Sequence, residues 1–135
     1  MKIISILALL ILFSSCSQNN ADRLVGKWKY DHLEMPAGAT SEEWTPEGLM
    51  TMSRLMSGYT MEFFSDKKYK FTLEDYGSGH SGTYQFVENG KYIETTSVLA
   101  DEQSTIDKQE ILLLSADSLK LAPADKPVVV YSRVK

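Results

Sequence analysis

In 135 residues the chain has one cysteine, Cys16, and two histidines, His32 and His80. These scarcities exclude a good deal of chemistry. One thiol allows no disulfide within a chain, and two separated histidines without a cysteine partner give no zinc-type spacing. No Gly-x-Ser-x-Gly elbow is present, and the glycine-rich stretch Gly77–Gly82 lacks the Lys-Ser or Lys-Thr of a phosphate loop. Positive charge is also short. Fourteen Lys and Arg stand against 18 Asp and Glu, a net −4, and the basic run that comes nearest to a cluster is Lys67-Lys68. Binding a phosphate backbone needs clustered cations, so nucleic acid is excluded as a partner. The expectation is a protein that is no enzyme and carries no metal and no cofactor.

Long apolar runs are missing as well. The longest, Ile3 to Phe13, spans eleven residues broken by Ser5 and follows Met1-Lys2. A membrane-spanning helix needs about 20 apolar residues, so this run reads as a cleavable signal peptide. The junction Leu12-Phe13-Ser14-Ser15-Cys16 resembles a bacterial lipobox. That resemblance implies diacylglycerol on the Cys16 thiol, cleavage before it and acylation of the new amine; the alternative is an ordinary signal peptide whose removal takes Cys16 with it. Two or more acyl chains hold a protein stably at a membrane. The expected layout is a leader at 1–15, a lipidated tether at 16–23 in which Ser17 to Asp22 is polar without periodicity, and one domain at 24–135. A domain of that size buries roughly two thirds of its unfolded surface and needs no disulfide or metal to fold. The expected place is the cell envelope, lipid-anchored, at the outer membrane facing the periplasm, with the chain a monomer.

The domain alternates from its first residues. In Gly26-Lys27-Trp28-Lys29-Tyr30-Asp31-His32, side chains on an extended strand face opposite sides, which puts Trp28, Tyr30 and His32 toward a core and Lys27, Lys29 and Asp31 toward solvent. Gly26 is expected to let backbone pass close under the indole. After Pro36 to Thr40 comes one segment with helical spacing, Leu49, Met52, Met56 and Tyr59, with Thr45 as cap, Pro46 at the first position and Gly58 at the stop; Thr40 with Glu43 offers a capping box one turn earlier. Its methionines make it soft. It reads either as a short helix packed over one barrel mouth or as a pliable lid.

From Tyr59 the alternation resumes. Met61 and Phe63, then Tyr69, Phe71 and Leu73, then Tyr84 and Phe86 form an inward series. Tyr76 to Gly82 reads as a turn, with His80 a solvated loop residue, and Asn89-Gly90 is a strong hairpin signal. Lys91 to Val98, Thr105 to Ser115, Leu119 to Ala122 and Val128 to Val134 complete the strands. The reading is all-β: an eight-stranded antiparallel up-and-down β-barrel with a short helix after the first strand. Eight strands enclose a space that side chains fill or one small ligand occupies.

Gly26-x-Trp28 at the start of the first strand, the helix after it and the meander ending in Tyr131-Ser132-Arg133 together resemble the lipocalin-like and fatty-acid-binding-protein-like barrels. The resemblance implies that Arg133 stacks over Trp28 and closes the barrel. It differs from lipocalins in placing its helix early. Two functions follow. One is binding of a small apolar or amphipathic molecule by an interior drawn from Tyr30, His32, Met52, Met56, Phe63, Tyr69, Phe71, Tyr84 and Phe86, which would be the lining or, equally, the core. The other is a solid-packed barrel whose surface meets another envelope protein as an interaction or inhibitor module. His32, on the Trp28 face, reads as a hydrogen-bonded core residue before it reads as a ligand. A cavity would separate the two functions.

Overall fold

The computed structural model describes residues 15–40, 42, 44–74, 77–98 and 103–135. The leader, Glu43 of the capping box and most of the loop after Val98 therefore lie outside the described residues, as does the Cys16 side chain. The elements are α1 (Ser15–Leu24), β1 (Gly26–Glu34), α2 (Pro46–Met56), β2 (Tyr59–Phe63), β3 (Lys68–Leu73), β4 (Ser78–Val87), β5 (Tyr92–Val98), β6 (Ser104–Leu114), β7 (Ser118–Pro123) and β8 (Val128–Arg133). The eight strands pair antiparallel in chain order, and β1 also pairs with β8, closing the barrel.

Two bulges decide which side chains face inward. Against β8, Tyr30 opposes Tyr131 but His32 opposes Val130, so Asp31 is an extra residue in β1. An extra residue flips the parity of everything after it. Trp28 and Tyr30 stay inward, Leu33 takes the next inward place against the core, and His32 is turned out. The expectation that His32 shares the Trp28 face is thus corrected. A second bulge makes Leu112 the extra residue of β6, which leaves Leu112 and Leu113 exposed while Leu114 packs against the core.

Two other expectations change. Ser17 to Asp22, read as a tether without periodicity, lies within α1. Ser78 to Gly82, read as a turn, is the first half of β4 and pairs with β3 from Leu73↔Ser78 to Tyr69↔Gly82. The glycines mark close backbone approach: a Cβ on Gly82 would collide with the Thr96 carbonyl of β5.

The interior divides into two halves. The end of the barrel where β1 begins and β8 finishes is filled. There Leu24, Trp28, Phe63, Ile93, Leu119 and Leu121 are fully buried, Phe63 and Tyr84 meet edge to face at 5.1 Å, and Tyr84 Oη donates to the Phe64 carbonyl at 2.8 Å. The indole Nε1 of Trp28 donates to the Leu24 carbonyl at 2.8 Å, so the buried ring has its polar atom satisfied. Arg133 lies over that ring, its guanidinium carbon 4.2 Å from the centroid, and donates to the carbonyls of Val25 at 2.8 Å, of Arg23 and of Ala116. Gly26, at φ +136°, makes room for it, since a Cβ there would overlap Arg133 Nη1. The glycine serves the guanidinium rather than the indole. At this end α1 is anchored by buried Leu24, and Asn20 reaches the Gly90 turn.

Candidate functional site

The other end is open. A cavity of about 370 Å³ lies in the barrel mouth beneath α2, inside the ~300–1,000 Å³ range of small-molecule sites. Its roof is Met52, Leu55 and Met56. Thr45 caps that helix, its hydroxyl accepting from the Gly48 amide at 3.1 Å, with Pro46 at the start. No residue of α2 is buried. The Ser53 hydroxyl and the Tyr30 hydroxyl share a hydrogen bond of 2.7 Å, which ties the roof to β1.

One wall is aromatic. Tyr59 and Phe71 meet edge to face at 4.8 Å, Phe71 and His80 tilt together at 4.8 Å, and Tyr69 meets His80 at 5.8 Å. His80 belongs to this wall because β4 is a strand as far back as Ser78; its cross-strand partner is Phe71. The opposite wall is polar. Thr95 of β5 and Asp107 of β6 face each other across the strand pair, and Gln109 Nε2 donates to Asp107 Oδ2 at 2.6 Å. The floor is formed by Met61, Val129 and Tyr131, and Lys126 stands exposed on the rim, shared with a cleft on the outside beside Trp44.

Two phenols of the lining, Tyr131 of the floor and Tyr69 of the wall, sense this geometry. Burial pushes the Tyr131 hydroxyl far above the ordinary tyrosine range, with Tyr59, Tyr30 and, least of all, Asp107 adding to the shift. Tyr69 is raised by burial too, against hydrogen bonds from Ser97 and Thr95, with Asp107 again adding. Raised in this way, both phenols favour the protonated form, which can donate a hydrogen bond.

Of the expected lining, Met52, Met56, Tyr69 and Phe71 come together around the cavity. Tyr30 sits at its edge through Ser53. Phe63 and Tyr84 instead fill the closed half, and Phe86 packs beside them. His32 lies outside the barrel, half exposed, with Nδ1 2.6 Å from Asp31 Oδ2 and Nε2 3.3 Å from Glu34 Oε1. Glu34 in turn accepts from Lys120 Nζ at 2.8 and 3.0 Å. His80, expected as a solvated loop residue, is exposed but lies on β4 at the cavity wall, and sequence reasoning missed Thr95, Asp107 and Gln109. The alternation of Thr95 with Ile93, and of Asp107 with Gln109 and Ile111, was the available signal.

No protein-family model matches the chain, and no curated protein matches it in sequence. Solved structures do match. One is a DUF4847 family protein from Bacteroides vulgatus ATCC 8482, with a TM-score of 0.51 and 14% identity over 82% of this chain and 92% of that one. Another is an uncharacterized protein from Bacteroides eggerthii DSM 20697, with a TM-score of 0.54 and 14% identity over 82% of this chain and 99% of that one. Identity this low makes the likeness one of fold.

Proposed function

We propose that the protein is a non-catalytic, lipid-anchored envelope barrel that holds one small amphipathic molecule in its open mouth. The observation that carries this reading is the 370 Å³ cavity under α2, with an apolar roof, an aromatic wall and a few convergent polar groups. Allowing ~30 Å³ for each water-sized group, it takes on the order of a dozen non-hydrogen atoms. A solid-packed barrel acting through its surface would use the closed half alone and leave the open half without a role, so binding is the reading the geometry favours.

The membrane attachment rests on Ser14-Ser15-Cys16 after the apolar run. The placement of α1 supports an orientation. Cys16 is joined to the barrel through Leu24 and the Trp28–Arg133 end, which directs the mouth away from the anchored side.

Native mass spectrometry of residues 17–135, produced without the lipid, is the test. A co-purifying adduct that organic extraction releases, or saturable binding of an environment-sensitive aliphatic probe that Phe71→Ala or Met52→Ala weakens, is the expected result. A protein with no adduct and no saturable probe signal would exclude the cavity as a binding site.

A further inference from the structure

We propose that the molecule held in the mouth carries a positively charged amine on an apolar body, with Asp107 as the group that receives it. This rests on the cavity being a binding site and adds the charge of its occupant.

Asp107 is on β6 opposite Thr95, exposed at the mouth, and among the described residues it is the carboxylate that lines the cavity. The Gln109 amide holds Oδ2 at 2.6 Å, which orients the carboxylate while a carboxylate oxygen keeps further lone pairs to offer. Facing it are the rings of Tyr59, Tyr69, Phe71 and Tyr131. Aromatic faces carry partial negative charge and attract ammonium groups, so carboxylate and rings act in the same direction on a cation. Asp107 is thus the one acidic side chain of the lining among the described residues, and its charge reaches Tyr69 and Tyr131. Lys126, exposed on the rim and facing the outer cleft as well, lies where an incoming ligand passes. The chain's net −4 favours the approach of cations further. An anionic head, such as a fatty-acid carboxylate, could accept from the phenols of Tyr69 and Tyr131 but would do so against the Asp107 charge and the ring faces.

Three probes of matched length separate the alternatives: decylamine, decanol and decanoate, each titrated calorimetrically at neutral pH below its micellar concentration. Decylamine should bind at least tenfold more tightly than decanol, and decanoate more weakly than either. Asp107→Asn, which keeps shape and hydrogen bonding, should bring decylamine to the level of decanol, while Lys126→Gln should leave decylamine binding equal or stronger. Circular dichroism of each variant confirms folding before titration. Equal or tighter binding of decanoate overturns the amine inference and keeps the cavity as a binding site. Failure of all three probes instead removes the binding reading itself.

Discussion

At the scale of the residue, three side chains at the closed end depend on one another. Trp28 is fully buried and satisfied by Leu24, Arg133 covers it while donating to three backbone carbonyls, and Gly26 leaves the space that Arg133 occupies. Trp28→Ala should cost about 3–5 kcal/mol as a core truncation, and Arg133→Ala about 2 kcal/mol through lost charge-assisted hydrogen bonds and ring contact. Gly26→Ala should cost about 1–3 kcal/mol from its positive φ together with the clash. Because that clash is with Arg133, urea unfolding of the double variant should show Gly26→Ala costing less when Arg133 is already alanine; strict additivity would mean the two do not touch. His32 offers a second test. Its hydrogen bond to Asp31 chiefly raises its pKa above the ordinary 6.5, against a smaller opposing effect of burial, and Glu34 adds to the rise. The folded state thus favours the charged ring, so the stabilisation is complete below pH 6.5 and is lost as pH rises through the raised value. Exposure keeps it well under 1 kcal/mol. The His32 proton titration followed by NMR should have its midpoint above 6.5 and move down in Asp31→Asn; an unchanged midpoint in the variant would show that the pair does not form in solution. Trp28 and Arg133 were legible in the sequence, because a ring and a cation at the two ends of a meander fit a known pattern. His32 was not, since one extra residue in a strand leaves no mark on composition yet reverses every later side chain.

At the scale of the element, α2 is the part built to move. It buries none of its residues and is held by the Thr45 cap and the Ser53–Tyr30 hydrogen bond. Segments with little buried surface open at low free energy. Amide exchange across Pro46–Met56 should therefore be faster than in β5 or β8, and Thr45→Ala, which removes about 1 kcal/mol of capping, should accelerate it locally while the strands keep their protection. Exchange in α2 as slow as in β8 would show that the roof is a fixed part of the barrel. The helix itself was readable from Thr45, Pro46 and the spacing of Met52 and Met56. The start of β4 was hidden, because Gly77 to Gly82 carries the composition of a turn. Those glycines serve neighbouring strands that pass close to them, a constraint set by residues such as Thr96 that are distant in sequence. The same concealment kept the place of His80 in the cavity wall from view.

At the scale of the whole molecule, the eight-stranded closed barrel follows from the meander of alternating segments, whereas its division into a filled half and a hollow half does not. Phe63, Tyr69, Phe71 and Tyr84 look alike in an alternating sequence, and only depth along the barrel sorts them into packing and lining. The proposed anchor concerns the molecule as a unit. Cys16→Ala should leave the chain unprocessed or release it from the membrane fraction and abolish labelling by palmitate, while a wild-type protein found soluble and unlabelled would remove the anchor from the proposal. The join of β1 to β8 also governs when the fold can form. Trp28 pairs with Arg133, and the Arg133 hydrogen bond to the Arg23 carbonyl spans 110 positions of the chain. Contacts this remote require closure of nearly the longest loop the chain can make, which slows folding. During synthesis β1 can pair with β2 early, but its seam with β8 must wait until β8 has left the ribosome. Until then the sheet of consecutive hairpins stays open along the β1–β8 seam, with the edges of both strands unpaired.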